Sequence, residues 1–367
     1  GNRPTKCIYT KERFYTKNST NRITNPIIHD FWTSLSDKSG GIMINSPYTI
    51  YIITGNSVYQ TVPVSYTIPY IDTYIEVVGR SGHSISNNFI GGSAPYANGK
   101  AIYLGNNSRI VGLHVLNNQF DTTTTVINGN IIRNFNISSS RTVPSFTGIS
   151  AETGSFIIGL DAGNKVGSLV NDSSIVINYT GSAANAFITG IRYESNDFCN
   201  VQNNEIGSFN LSGSLAVNTN ITAISGRANK MILRKNTIGS GTGRLQSNTV
   251  SGGINGIMII LSFNPNAKYT CIQNTIQHLY NNNTGATATL DGITTISGPA
   301  NDDGIENKIW NNQISELHAT KAGASDGSVK GISLETSANN STSSSGRHII
   351  RGNQINELTA ESNGDTT

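Results

Sequence analysis

Charge is scarce in this sequence. Asp, Glu, Lys and Arg make up only 13% of its 367 residues, about half the share of an ordinary globular domain. The formal net charge is only +3, which excludes disorder of the highly charged kind. Lys and Arg are dispersed with no basic run, so there is no case for nucleic acid as a partner. Apolar runs are short as well. None approaches the roughly 18 residues of a membrane helix, so no membrane span is expected. Cys7, Cys199 and Cys271 show no CxxC spacing and indicate neither a zinc site nor a disulfide framework. The chain begins without Met and shows no signal peptide, and reads as a mature or trimmed product.

Several kinds of chemistry also lack their residues. No nucleophile elbow, phosphate loop or metal-ligand pair is present, and neither a cofactor nor a metal is expected. Asp302-Asp303-Gly304 reads as an isolated turn. His278 and His318 are expected in solvated loops just past the ends of strands. The Ala/Leu/Glu/Lys patterns of coiled coils, bundles and helical repeats are missing too. Asn, Ser, Thr and 38 Gly fill the sequence instead, with Ile and Val throughout, which is the make-up of a β-architecture with many turns. The many N-x-S/T triplets follow from that composition.

The most informative feature is internal repetition. The segments Lys308 to Leu317 and His348 to Leu358 both read apolar-x-x-Asn-x-Ile-x-x-Leu. The phrase recurs at Ile85/Asn88/Ile90, Ile127/Asn130/Ile132, Val201/Asn204/Ile206, Leu233/Asn236/Ile238 and Cys271/Asn274/Ile276. A weaker copy is assigned to Val170/Ser173/Ile175. A second phrase follows each: Gly148-Ile149, Gly190-Ile191, Ala223-Ile224, Gly256-Ile257, Gly292-Ile293 and Gly331-Ile332. Steps between the first anchors, from 88 to 353, are 42, 43, 31, 32, 38, 38 and 41 residues, while the internal phase stays nearly constant.

Physics selects the geometry. Each copy holds strands of only about three to five residues separated by polar turns, with no continuous 3.6-period face. Short strands that recur in register describe an all-β, right-handed parallel β-helix with three strands per coil, a ladder of corner asparagines and loops of variable length. The corner Asn is expected in the left-handed conformation, hydrogen-bonded to its equivalents above and below. Residues 1–46 lack the repeat and are expected as an N-terminal cap or leader, with the β-helix spanning 47–367.

The Asn corner and three-strand coil resemble the right-handed parallel β-helix of the pectate-lyase-like superfamily. The "N-x-I-x-x-L … loop … G-I" repeat is similar to degenerate repeats in secreted cell-surface proteins of Bacteroidota. The resemblance covers about residues 75 to 367. It implies the fold, suggests an extracellular or cell-surface location, and says little about activity.

Pectate-lyase-like enzymes carry acidic and basic groups on one outer strand face. Counting from the second-phrase Ile places Glu152, Arg192, Glu194 and Arg227 together on one outward face of three successive coils. Stacked Glu152 and Glu194 would repel, which would raise one carboxyl toward the range of a catalytic acid. The same residues read first as an outward salt-bridge ladder in which Arg192 and Arg227 neutralise the glutamates. The leading functional expectation is a non-catalytic extracellular β-helix with an adhesive, glycan-contacting or spacer role. Its partner would be an extracellular glycan or a surface protein. The alternatives are a polysaccharide lyase or glycoside hydrolase, and a subunit of a surface filament or layer. The repeat spacing places the next Gly-Ile strand near positions 372 to 375, so further coils or a partner subunit are expected at the C-terminal end.

Overall fold

The computed structural model describes residues 4–11, 20–32, 38–65, 70–105, 108–118, 123–139, 145–171, 174–180, 186–213, 219–261, 264, 266–284, 288–297, 306–321, 328–336 and 347–362. Every one of their named elements is a β-strand. The strands form three sheets, here A, B and C, of 10, 10 and 17 strands, and all pairings between named strands are parallel. The fold is a parallel β-solenoid. One coil runs from Thr219–Ala228 in sheet A to Lys230–Arg234 in sheet B, then through Thr237–Ile238 and Leu245–Thr249 in sheet C, and returns to sheet A at Gly252–Leu261.

Alternation along each short strand points every second residue inward, and register stacks like upon like. Ile132, Val166, Ile206, Ile238, Ile276 and Ile314 form one column in sheet C. Ile149, Ile191, Ile224, Ile257 and Ile293 form another in sheet A. All of these side chains are fully buried, at about 1.5–3 kcal/mol of stabilisation each. Ile332 is partly buried and Ile355 is exposed, because no described coil lies beyond theirs.

The Gly of the Gly-Ile phrase has a steric cause. A Cβ on Gly148, Gly190, Gly256 or Gly292 would lie 2.4 to 2.9 Å from a side-chain carbon of Val166, Ile206, Ile276 or Ile314, the sheet C residue of the same coil. The two repeated phrases are therefore coupled: the bulky residue two places after each Asn fills the space the glycine leaves open.

The Asn ladder is present and longer than the repeat alone indicates. Its rungs are Asn56, Asn88, Asn130, Asn164, Asn204, Asn236, Asn274, Asn312 and Asn353. From Asn56 to Asn312, each Nδ2 donates to the Oδ1 of the next rung at 2.6 to 2.9 Å. The backbone N–H donates to the same oxygen at 2.9 to 3.1 Å. The ladder begins at Asn56 because Pro26 stands beside it in the preceding coil, and Pro has no N–H to offer. The Asn56 Oδ1 is left buried without a hydrogen-bond partner.

Several expectations need correction. The rung assigned to Ser173 belongs to Asn164, and Ser173 itself lies outside the described residues. In most coils the inward strand residue stands three before the Asn. Here Ile158 stands six before Asn164, because Gly159 to Gly163 make a longer corner. The left-handed residue is not the rung but its predecessor: Asn25, Asn87, Asn203, Lys235, Gln273 and Asn311 all have φ between 52° and 60°, and Gly fills the same place at 55, 129, 163 and 352. Strands also begin before residue 47, since Lys6–Lys11, Thr20–Thr24 and Ile27–His29 add the first strand to each sheet. His278 and His318 are not loop residues. Both lie within strands of sheet C and are half-buried. His278 Nδ1 meets Glu316 Oε2 at 2.6 Å, and His318 stacks on Tyr280 with ring centroids 4.9 Å apart. The Asp302-Asp303-Gly304 turn lies outside the described residues.

Candidate functional site

The four residues expected on the outer face of sheet A are there, in the expected register. Glu152 pairs with Glu194 and Glu194 with Arg227, while Arg192 stands two residues from Glu194 on the same face. The structure adds four groups. Glu76, His114 and Ser150 are register neighbours in the column that continues to Arg192. Lys38 reaches in from just before the second strand of sheet A, Gly40–Ser46, and donates to Glu76.

Together these side chains alternate in sign along the solenoid axis. From Lys38 the series passes to Glu76, then to His114, whose Nδ1 lies 3.2 Å from Glu76 Oε1. His114 Nε2 lies 3.5 Å from Glu152 Oε1, which also accepts from Ser150 Oγ at 3.1 Å. Arg192 stands 3.9 Å from Glu152 and donates to Glu194 at 2.5 Å. The imidazole is thus clasped between two carboxylates, one at each ring nitrogen.

Electrostatics follows from that clasp. Burial disfavours a charged His114, but its hydrogen bonds and charge attraction to Glu152 and Glu76 outweigh burial and lift its pKa above 6.5. Burial pushes Glu76 up, yet His114 and Lys38 together hold it below the ordinary carboxylate value. The His114 hydrogen bond pulls Glu152 down to about 2, against burial and with help from Ser150 and Arg192. Stacking beside Glu194 thus does not raise the Glu152 carboxyl, because His114 and Arg192 compensate the like charge. A carboxylate held this low is a poor proton donor, and an imidazolium with both N–H groups engaged by carboxylates is a poor one too. The arrangement acts as a neutralised ladder across successive coils.

A second feature lies on sheet C. Asn178, Ser212 and Asn248 are register neighbours near the loop that leads back to sheet A, and Asn282 extends the line. With Tyr179, Thr180, Gly213, Thr249 and Thr284 they line an open groove of about 690 Å³. Ser212 donates to Asn178 Oδ1 at 2.6 Å and Asn282 to Asn248 Oδ1 at 3.1 Å, so amides and hydroxyls form a hydrogen-bonding surface along the axis.

Among the described residues no group of three or more His, Cys, Asp or Glu is placed to hold a metal ion. Cys199 and Cys271 are buried in the interior of sheet B, and burial pushes both thiols up, Cys271 to about 12. No described helix is long and apolar enough to cross a membrane.

Sequence reasoning missed Glu76 and His114 although the signal was present. Each follows a second-phrase residue, Ile75 or Leu113. In those coils the phrase reads Tyr74-Ile75 and Gly112-Leu113, so a search for Gly-Ile passes over both. The Tyr74 ring fills the core instead, packed edge-on against Phe31 and Phe135. No protein-family profile, curated protein sequence or solved structure matches this chain.

Proposed function

We propose that this chain is a non-catalytic extracellular β-helix of a cell surface, which contacts glycans through the groove of Asn178, Ser212, Asn248 and Asn282. The groove carries the reading. It is open, lined by amides and hydroxyls at regular spacing, and holds no carboxylate or ammonium among its lining residues. Such groups exchange hydrogen bonds with sugar hydroxyls as readily as with water, which favours shallow, polar recognition. The pectate-lyase-like form of the coil and the likeness to secreted Bacteroidota repeats support the location.

The titratable cluster around His114 favours one alternative, a polysaccharide lyase or glycoside hydrolase acting on an extracellular glycan. Glu76 and Glu152 are held ionised by the cations beside them, which supports a structural role instead. A panel of neutral and uronate-containing glycans, assayed for binding and for chain shortening, separates the two. Asn178→Ala with Asn248→Ala should abolish binding. Glu152→Gln with Glu194→Gln should leave it nearly unchanged. Glycan shortening that disappears with the glutamine variants would establish the enzyme reading, and electron microscopy of the purified chain would reveal a filament.

A further inference from the structure

The outer face of sheet B is charged in a different way from that of sheet A. Its last four strands are Lys230–Arg234, Lys268–Ile272, Glu306–Trp310 and Arg347–Arg351. They carry Lys230, Arg234, Lys268, Lys308, Arg347 and Arg351, six of the chain's 25 cations, and one carboxylate, Glu306. Glu306 lies 3.4 Å from both Lys308 and Arg347. Among the described residues the other four cations have no carboxylate partner. Lys230 stands directly beside Lys268 in register, a like-charge pairing that costs stability. On sheet A the paired carboxylates Glu152 and Glu194 have His114 and Arg192 within ion-pair reach; Lys230 and Lys268 have no such counter-charge among the described residues.

Position matters as much as charge. The cations flank the face on both edges, with Lys230, Lys268 and Arg347 in one outer column and Arg234 and Arg351 in the other. Ile232, Thr270, Lys308 and Ile349 form the column between them, and Ile272 and Trp310 continue the Arg234 column. Ile232, Ile272, Ile349 and Trp310 are all half-buried. The face therefore interleaves cations at both edges, and Lys308 between them, with the half-buried apolar side chains of Ile232, Ile349, Ile272 and Trp310. Trp at such a boundary, with cations beside it, suits the zone between headgroups and acyl chains.

We infer that this face of sheet B is a docking surface for a layer of anionic lipid headgroups. The shape argues against a linear polyanion. A chain running along the axis over Lys230 and Lys268 would meet Glu306 next, and the two cationic columns lie four residues apart along each strand, about 13 Å. A single strand of nucleic acid would use open aromatic faces, but the Trp310 ring has the Lys308 ammonium 5.0 Å from its centroid and Phe198 has Lys230 at 5.5 Å. A planar headgroup layer responds to the summed charge and tolerates one interspersed carboxylate. The inference stands independently of the glycan groove on sheet C.

The test uses the full chain with vesicles of phosphatidylcholine, with and without phosphatidylglycerol. Binding is expected only to the anionic vesicles, falling about tenfold or more as salt rises from roughly 50 to 200 mM. Lys230→Glu with Lys268→Glu should weaken partitioning by at least about tenfold, and Glu306→Gln should strengthen it. A control of equal charge change, Lys100→Glu with Arg109→Glu, should have far less effect, and thermal unfolding checks that each variant is folded. In a Trp32→Phe background the remaining tryptophan, Trp310, should be quenched by spin-labelled lipid. The inference is overturned if Trp310 is not quenched, if the control pair weakens binding as much as the face pair, or if dextran sulfate or oligothymidylate binds the face as tightly as the vesicles. Asn178→Ala with Asn248→Ala should leave vesicle binding intact, so failure of this face and failure of the groove are read separately.

Discussion

Replacing Asn236 by Ala removes one rung from the middle of the ladder. The side chain donates to Val201 O at 3.0 Å and to Asn274 Oδ1 at 2.9 Å. It accepts from the Asn204 backbone N–H at 3.1 Å and from Asn204 Nδ2 at 2.9 Å. Asn274 keeps a partner, because the backbone N–H of residue 236 still reaches it. The Asn204 backbone N–H and one of its Nδ2 hydrogens do not. Both are fully buried, and a buried donor left unsatisfied costs about 1–3 kcal/mol, so the variant should lose about 2–6 kcal/mol. Asn353→Ala is the matched control. It breaks the last rung, which is only half-buried, so water can replace the lost partner and the loss should stay near 1 kcal/mol. Urea unfolding followed by far-UV circular dichroism gives the global effect, and hydrogen exchange at the Asn204 amide gives the local one. Equal losses for the two variants, or unchanged protection of the Asn204 amide, would refute the claim that the ladder is held by its interior hydrogen bonds.

Other consequences follow from the same coordinates. Gly256→Val should destabilise by about 1–3 kcal/mol in thermal or urea unfolding, and Gly256→Ala by less, because a Cβ there meets Ile276 and the Gly292 carbonyl while Ala223 is accommodated at the equivalent place. The His114 clasp should stabilise most between pH 4.5 and 6.5. The lowered Glu152 contributes above 4.5 and loses its contribution as pH falls toward about 2, whereas the raised His114 contributes below 6.5 and loses its share as pH rises past its folded value. His114→Gln should therefore cost most inside that window and least in alkali, as read from urea midpoints across pH. Asp72 points into the core, hydrogen-bonded by Ser39, and burial raises its carboxyl to about 7. Its protonated form is favoured in the folded state, so stability should fall as pH rises from about 4 to about 7, and Asp72→Asn should flatten that slope.

Sequence alone determined the architecture, because the strongest constraint in a solenoid is periodic. A coil must return Ile, Val or Leu to the same interior columns, and an Asn to the same corner, whatever its loops do. That spacing made the columns through Ile276 and Ile257 legible, along with the outward register of Glu152, Glu194 and Arg227. Legibility failed where local geometry broke the period. The longer corner after Ile158 moved the rung to Asn164, and Tyr74 standing where later coils carry Gly hid the coil that holds Glu76. Only the tertiary structure decided what the charged groups do, since electrostatics depends on distance across coils. Lys38 and Glu76 are 38 residues apart in sequence, as are Glu76 and His114, and both pairs are in contact. The same cause explains why one column of charges is neutralised in place while Lys230, Arg234, Lys268 and Arg351 of sheet B have no carboxylate partner among the described residues: register assigns each residue its neighbour, and the neighbour sets its field.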